Sequence, residues 1–229
     1  MRQVALVVEG QTEEQFVQHV LSACVPSDVY LTPLIVRTGR TARGVAKGGG
    51  HWKHYRPKIH NLLREPHWDV VTTMIDYYGY PGDAPGRGVP AGKSLQERVE
   101  SRERAMAEDL GAESDERFLP FVMLHEFETL VLTACAQLPD VFGDPAVPRS
   151  ARRLLAQFDD EPERINEGPA TAPARRVEKL LPGYSKPQDG VAILAEADMD
   201  EVMKLCPHFA RWVTKLRELS VHARGSASE

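Results

Sequence analysis

The sequence predicts an α/β fold in which a mostly parallel central sheet is flanked by helices and followed by a helical C-terminal part. Short apolar runs alternate with helix-like segments along the first 138 residues, an order typical of parallel sheets with right-handed crossovers. The first run, Val4–Val8, is apolar at every position, as expected of a strand buried on both faces. After Pro139, helical patterns alternate with Pro-Gly breaks and show no strand-like alternation.

Each element follows from a local pattern. Apolar runs of strand length predict strands at Tyr30–Val36, Trp68–Ile75 and Phe118–Leu124, in addition to Val4–Val8. Helical spacing predicts helices at Gln11–Cys24, His54–Arg64, Lys93–Leu110, Glu128–Gln137, Arg149–Phe158, Thr171–Leu181, Asp189–Ala195, Asp198–Lys204 and Phe209–Leu219. We expect Thr12 to cap the first helix. The glycine-rich stretch that follows Val36 is predicted to be a mobile loop.

The expected organisation is an α/β core of residues 1–138, a helical extension of residues 139–219 packed on that core, and a flexible tail of residues 220–229. Hydrophobic residues make up 42% and charged residues 27% of the chain, as in ordinary globular proteins. No apolar run approaches the roughly 20 residues of a membrane helix, and the first strand begins too early to leave room for a signal peptide. With three scattered cysteines, typical of reduced thiols, we expect a cytoplasmic protein without a membrane partner.

Basic side chains are concentrated in one stretch of this acidic chain, whose net charge is −5. No Asp or Glu occurs between Tyr30 and Arg64. The candidates for nucleic-acid binding in this stretch are Arg37, Arg40, Arg43, Lys47 and Lys53. A segment whose charged side chains are all basic is compatible with binding to a polyanion such as DNA or RNA. It is equally compatible with a solvated loop and helix face.

Carboxylates follow three of the four predicted strands. Glu9 follows the first, Asp76 the third, and Glu126 and Glu128 the fourth. Because ligands of open α/β sheets lie beyond the carboxyl ends of the strands, we expect these acids to converge in one crevice. A single acid at a strand end is more often a helix cap or a solvated turn residue, but three such placements favour a site. Gly10, without a side chain, would let a phosphate or metal ion approach the backbone.

Carboxylate oxygens without His or Cys partners favour a hard cation, Mg²⁺ or Mn²⁺. The expected metal ligands are Glu9, Glu13, Asp76, Glu126 and Glu128. Zinc is disfavoured because the histidines lack a completing Cys or His at zinc-ligand spacing. EGQTEE lacks the Gly-Lys-Ser/Thr of an ATP-binding P-loop.

The segment VVEGQTEE resembles the first motif of Toprim domains, the metal-binding α/β modules of topoisomerases, primases and OLD (overcoming lysogenization defect) nucleases. The resemblance implies that Glu9 and Asp76 are catalytic metal ligands and that Glu13 is the second acid of OLD-type members. Tyr78 stands where the family has the second Asp of Asp-x-Asp. LHEFETLV is similar to the OLD-type segment that helps to bind a second metal, which implies Glu126 or Glu128.

GYSKPQDGVAILA is similar to an OLD-type stretch that carries a Lys before the last helix. The resemblance implies that Lys186 is a catalytic residue and a phosphate contact. VEGQTEEQFV, MIDYYGYP, LHEFETLV, INEGPATAPARRVEKLLPGYSKPQDG and CPHFARW resemble recurrent blocks of a bacterial family, domain of unknown function 4276, which is regarded as Toprim-like. For relatives of this kind, a role in bacterial (phage) defence beside a partner ATPase is implied context.

Three activities are compatible with these residues. The first is a Mg²⁺- or Mn²⁺-dependent nuclease that hydrolyses phosphodiesters of DNA or RNA, with Glu9 as a ligand or general base. The second is a module that binds nucleic acid or a partner protein without cleavage, for which Tyr78 is the best support. The third is a nucleotidyl transferase or primase-like enzyme, which uses similar metals but needs a nucleotide pocket.

Overall fold

The computed structural model describes residues 1–41, 44–47, 50–88, 94–113, 115–165 and 171–220, with the backbone alone for 37–41 and 44–47. The chain forms two compact units. The first unit contains Met1–Met123 and the segment from Val213 onward, and the second contains Leu124–Trp212. The division into a core, an extension and a tail at residues 138 and 219 stays a prediction about domains. Residues 221–229 of the predicted tail lie outside the described residues.

The first unit is built on a parallel sheet. Its strands are β1 (Arg2–Val8), β2 (Val29–Ile35), β3 (Arg37–Thr41), β4 (Gly44–Lys47), β5 (Val70–Asp76), β6 (Phe118–Leu119) and β7 (Val122–Met123), and its helices are α1 (Gln11–His19), α2 (Trp52–Arg64) and α3 (Leu95–Leu110). The sheet has the order β2-β1-β5-β6, and β7 also pairs with β5. All of these pairings are parallel, from Val4 opposite Val70 to Val8 opposite Met74 in the central pair.

The helices lie against this sheet, with α1 against β2, α2 against β5 and α3 against β7. Every residue of β5 is buried, and so are the last five residues of β1. Continuous apolar runs are stable as strands only when both faces are covered, which is what crossover helices provide. The predicted α/β class with a mostly parallel sheet is therefore confirmed.

The described parts of the glycine-rich stretch after Val36, Arg37–Thr41 and Gly44–Lys47, are strands rather than the loop that the composition predicts. Their backbone forms an antiparallel hairpin in which Arg37 pairs with Lys47 and Thr41 with Gly44. The β-branched residues Thr38, Thr41 and Val45 favour extended backbone, and the glycines between them do not prevent pairing in so short a hairpin. Arg43 lies outside the described residues.

The predicted fourth strand, Phe118–Leu124, is interrupted. It forms the two-residue strands β6 and β7, separated by Pro120, which has no N–H to donate to a sheet. Thr73 of β5 bridges the interruption, because its hydroxyl donates to the Phe121 carbonyl and accepts from the Phe121 N–H, both at 2.9 Å. The Thr72 hydroxyl donates to the Leu119 carbonyl at 2.5 Å.

The second unit is helical in its described residues, apart from an isolated bridge between Val141 and Asp144. Its helices are α4 (Glu128–Gln137), α5 (Ala146–Leu155), α6 (Pro173–Leu180), α7 (Val191–Glu196), α8 (Met199–Leu205) and α9 (Pro207–Arg217). Helix α4 is buried from Glu128 to Ala136 and contacts α5, α6, α7 and α8. An apolar helix buried on all sides is typical of the centre of a helical bundle.

Helix α9 begins in the second unit and ends in the first. Within the first unit, Arg217 Nε donates to the Cys24 carbonyl at 2.6 Å, and the Ser220 hydroxyl donates to Asp28 Oδ1 at 2.9 Å. None of the helices in the described part of the chain is both long and apolar enough to span a lipid bilayer.

We predict that Thr73→Val lowers the free energy of unfolding by about 1–3 kcal/mol, the usual cost of a buried polar group left without its partner. Valine keeps the shape but leaves the buried Phe121 N–H without its acceptor. Urea unfolding would measure the change. Thr133→Val is the matched control, since the equally buried Thr133 hydroxyl bonds back to the Thr129 carbonyl of its own helix and lies 3.7 Å from Cys206 Sγ, and so does not join two strands. Equal losses in the two variants would contradict the bridging role of Thr73.

Candidate metal centre

Glu9 and Asp76 stand at the point where the strand order of the sheet reverses. The chain runs from β1 to β2 on one side and then crosses back to β5 on the other side. Glu9 directly follows β1, and Asp76 is the last residue of β5. The carboxyl ends of two such neighbouring strands border the crevice in which open α/β sheets bind ligands. The sheet therefore delivers both predicted carboxylates to one place.

Tyr55 links the acids of the first unit. Its side chain is fully buried, and its hydroxyl donates to Glu9 Oε1 across a long 3.5 Å. Burial raises the pKa of this phenol far above its ordinary value, and the charges of Glu9, Glu13 and Asp76 raise it further. Glu9 contacts the Tyr55 hydroxyl directly, and the charges of Glu13 and Asp76 also act on it.

Tyr55 is a site residue that the sequence patterns did not indicate. The only signal in the sequence was its place on the apolar face of α2, where Trp52, Ile59 and Leu62 are also buried. A tyrosine on such a face needs a hydrogen-bond partner for its polar tip. The Trp52 ring stacks on the Tyr55 ring, with centroids 6.2 Å apart and planes at 10°. The hydroxyl finds its hydrogen-bond partner in Glu9 Oε1.

Glu13 is buried, and one of its oxygens is engaged by the backbone. Glu13 Oε2 accepts from the Gly10 N–H at 3.0 Å. Gly10 is the N-cap of α1, and the predicted capping by Thr12 is wrong. Thr12 lies within the first turn, and the start of the helix is closed by the reverse half of a capping box, in which the third helical residue bonds back to the cap. Glu13 thus supports the turn that follows Glu9.

The Glu9 carboxylate lies so close to the backbone of Gly79 that this position requires a glycine. A Cβ atom at Gly79 would lie 2.9 Å from Glu9 Oε2 and 3.0 Å from Glu9 Oε1. At Gly10, by contrast, a Cβ atom would meet Glu13 Oε2 at 3.4 Å. The Glu9 carboxylate therefore approaches the backbone closely at Gly79, and the approach of a phosphate or metal ion to Gly10 stays a prediction. The Glu9 carboxylate is confined by the Tyr55 hydroxyl and the Gly79 backbone.

The candidate residues of the second unit have partners within that unit. Glu126 Oε1 accepts from the Ala174 N–H at 2.7 Å, in the first turn of α6. Glu128 is buried, and its Oε2 lies 3.4 Å from Lys186 Nζ. The same ammonium lies 5.5 Å from the centre of the Phe127 ring. Glu126 thus supports a helix start, and Glu128 holds Lys186.

His125 also has a local role. It is buried with a positive φ of 63°, and its Nε2 lies 2.8 Å from the Glu163 carbonyl oxygen. The Glu163 carboxylate in turn accepts from the N–H groups of His208 and Phe209 at the start of α9. Burial raises the pKa of Glu163, and these backbone bonds partly offset the rise. This contact of His125 with Glu163 is a structural one within the second unit.

The predicted nucleic-acid contacts are only partly described. Lys53 is exposed on α2. Arg37, Arg40 and Lys47 belong to the β3–β4 hairpin, of which the backbone alone is described. Other basic side chains of the acid-free stretch are engaged, since Arg56 Nε donates to Asp109 Oδ2 at 2.8 Å.

The donor set around Tyr55 fits a hard divalent cation in its chemistry. Three carboxylates offer oxygen ligands of the kind that Mg²⁺ and Mn²⁺ prefer. As the side chains stand, no three His, Cys, Asp or Glu residues within the described ranges are grouped closely enough to hold an ion. Glu9, Glu13 and Asp76 would therefore have to draw closer together when an ion binds.

Comparisons with known proteins identify a family. Residues 8–217 match the model described as "Domain of unknown function (DUF4276)". A search of curated proteins found no match. Among solved structures, the chain is similar to the C-terminal region of the Xanthomonas campestris pv. campestris OLD protein. The identity is 14%, the similarity covers 92% of this chain and 96% of that chain, and the TM-score is 0.34. A superposition this loose transfers neither residues nor activity.

We predict that the protein loses stability above about pH 10, and that Tyr55→Phe reduces this loss. An unfolded tyrosine releases its proton near pH 10, whereas burial raises the pKa of Tyr55 so that the folded protein retains the proton. Below about pH 10 this proton has no effect on stability; above it, each such tyrosine costs about 1.4 kcal/mol per pH unit.

Urea unfolding over a range of alkaline pH would measure the slope. Tyr55→Phe and the unaltered protein should show parallel stability between about pH 7 and pH 9, since phenols are protonated there in both states. They should diverge above about pH 10. An unchanged slope in Tyr55→Phe would contradict the burial of an un-ionised hydroxyl among the three acids.

Proposed function

The chain belongs to the DUF4276 family, and we propose that it is a Mg²⁺- or Mn²⁺-dependent phosphodiester hydrolase that acts on DNA or RNA. One observation carries this proposal. Glu9, Glu13 and Asp76 come from two strand ends and a helix, yet all three act on the buried hydroxyl of Tyr55. Acids at the switch point of a sheet repel one another unless a cation or protons compensate.

The environment of the acids is compatible with a bound cation. Glu13 and Asp76 are buried, with 6% and 8% of their surface exposed. The Tyr55 hydroxyl and the Gly10 N–H each supply a neutral hydrogen bond to a carboxylate. Such neutral bonds bring no positive charge to offset the repulsion between the carboxylates. A hard divalent ion would remove it, and Glu9, Glu13 and Asp76 are the residues that would hold it.

A bound Mg²⁺ or Mn²⁺ would supply Lewis-acid activation of water and of the phosphodiester. The chain's own residues have separate tasks. Tyr55 keeps its proton and orients the Glu9 carboxylate. Glu9, held in this way, can accept a proton from an attacking water as a general base. We propose Lys186, whose side chain is 30% exposed, as a contact to the phosphate of the substrate.

A second ion has weaker support. Glu126 would have to release the Ala174 N–H, and Glu128 would have to leave the Lys186 ammonium. Removing one partner from a buried ion pair is costly. The contacts therefore favour a single ion at Glu9, Glu13 and Asp76, with Glu126 and Glu128 as candidate ligands of a second.

The alternative is a module that binds nucleic acid without cleaving it. Tyr78 favours this alternative, because it occupies the position of the second Asp in the Toprim motif and its side chain is 40% exposed. An exposed tyrosine beside a carboxylate site can stack on a base. In either form we propose DNA or RNA as the partner through the basic residues 37–53, and an ATPase as a partner protein in a defence context.

We predict that Glu9→Gln abolishes metal-dependent cleavage and most of the stabilisation by Mn²⁺. An ion at a hundredfold excess over its Kd stabilises a fold by about 2.7 kcal/mol, which melting curves detect. Glu14→Gln is the matched control, since Glu14 lies in the same first turn of α1 and is not a proposed ligand. In chelator, Glu9→Gln should be at least as stable as the unaltered protein, because it removes a repelling charge. If Mn²⁺ did not change the melting curve of the unaltered protein and no cleavage occurred, the function would be that of a binding module.

We predict that Gly79→Ala weakens Mn²⁺ binding roughly tenfold, equivalent to about 1.4 kcal/mol, because the added methyl would displace the Glu9 carboxylate. Gly82→Ala is the control in the same loop, as its Cβ atom would meet nothing within 4 Å. Calorimetric titration with Mn²⁺ would compare them. Equal affinities in the two variants would show that the position of Glu9 does not govern ion binding.

A further inference from the structure

Three arginines lie around two tyrosines in the first unit. The guanidinium carbon of Arg102 lies 3.8 Å from the centre of the Tyr77 ring and 4.6 Å from that of Tyr80. Arg98, one turn earlier on α3, lies 6.0 Å from the Tyr77 ring centre. Arg87 donates to the Tyr80 carbonyl from the loop that carries both tyrosines. We call Arg87, Arg98 and Arg102 the arginine cluster.

The arginine cluster has no counter-charge in the described part of the chain. None of its members forms a salt bridge there, and Arg102 is only 8% exposed. The Nε atoms of Arg98 and Arg102 are buried without a hydrogen-bond acceptor. The one hydrogen bond of Arg102 within the described residues runs from Nη1 to the Tyr77 carbonyl at 3.0 Å. Buried guanidinium groups are normally paired, so an unfilled donor is a sign of an absent anion.

Mutual repulsion adds to this cost. Arg98 and Arg102 are four residues apart on one helix face, where like charges destabilise a helix. Burial lowers the pKa of Arg102, and the charges of Arg87 and Arg98 lower it further, while Tyr77 and Tyr80 act in the opposite direction. Stacking on the two rings offsets part of the cost through cation–π attraction.

The loop is built to hold this arrangement. Gly86 has a φ of +75°, and a Cβ atom there would lie 2.9 Å from Arg102 Cα. The buried Tyr80 donates its hydroxyl to the Pro85 carbonyl at 2.8 Å. The loop backbone therefore packs closely on α3, and Arg102 lies over the two tyrosine rings. A costly arrangement that the surrounding fold enforces is typical of a functional site.

We propose that the arginine cluster binds a phosphate group of a nucleic acid. Guanidinium groups match the oxygens of a phosphate with paired hydrogen bonds, and the three charges would offset those of the anion. Tyr77, on which Arg98 and Arg102 lie, directly follows Asp76 of the proposed metal centre. The cluster is placed to hold a phosphate beside the scissile one. The identification of the ligand as a nucleic acid rests on the proposed function, whereas the phosphate site itself does not.

The test is binding by the full chain in chelator, where cleavage cannot occur. Fluorescence anisotropy would measure the affinity for labelled single-stranded and duplex oligonucleotides, and calorimetry the affinity for inorganic phosphate. Arg98→Gln and Arg87→Gln would be compared with Arg104→Gln, which removes the same charge from an exposed position of α3. Arg102→Lys keeps the charge but loses the planar fork.

Arg98→Gln and Arg87→Gln should each weaken oligonucleotide binding roughly tenfold, as the removal of a charge-assisted hydrogen bond does. The slope of log affinity against log salt should fall by about 0.7–0.9 for each phosphate that the variant no longer neutralises. Arg104→Gln should retain both values. Arg102→Lys should bind more weakly while its melting temperature stays close to that of the unaltered protein.

The proposal would be overturned if the cluster variants bound oligonucleotides with the same affinity as Arg104→Gln. It would also be overturned if the unaltered protein bound no anion. If the protein bound inorganic phosphate but no oligonucleotide, the identification of the ligand as a nucleic acid would be wrong, and the phosphate site would remain. A cleavage assay in Mg²⁺ distinguishes the hydrolase proposal from the arginine-cluster proposal. Cluster-dependent binding without cleavage would refute the hydrolase alone, and cleavage with unchanged binding in the cluster variants would refute the cluster alone.

Discussion

The parallel pairing of β1 with β5 is the constraint on which the candidate site depends. These strands are neighbours in the sheet but lie more than sixty positions apart in sequence, with Val4 opposite Val70. Their register places Glu9 and Asp76 at the same edge, and the helix after β1 brings in Glu13. Because the last five residues of β1 and every residue of β5 are buried, a shift in register would disrupt close packing on both faces of the sheet. The positions of the carboxylates are therefore held by the core of the first unit.

Residues that carry a local signal could be predicted from the sequence. Glu9 and Asp76 directly follow apolar runs, and the α/β class follows from the alternation of strands and helices. Pro120 was visible as well, but its effect was missed, because whether a proline interrupts a strand depends on which neighbour its N–H would have met. Here that neighbour is β5, whose Thr73 hydroxyl takes over the bonding of Phe121.

Residues defined by distant contacts could not be predicted. Tyr55 lies 46 positions from Glu9, and nothing in the apolar pattern of α2 says which side chain will meet its hydroxyl. Gly79 resembles any loop glycine until the backbone is seen beside Glu9. Arg98 and Arg102 are typical of a charged helix face, and only the folded loop shows that Tyr77 covers them. Each of these relations is set by tertiary packing, which local sequence patterns do not encode.

The path of α9 has a consequence for how the chain is divided. The chain enters the second unit after Met123 and returns at Val213, so the residues of the second unit stand, in sequence, between two parts of the first. Arg217 and Ser220 complete the bonding of Cys24 and Asp28 near the start of the chain. A fragment that ends at residue 123 would lack both partners. A piece that keeps the whole first unit, with these two bonds, is therefore discontinuous in sequence.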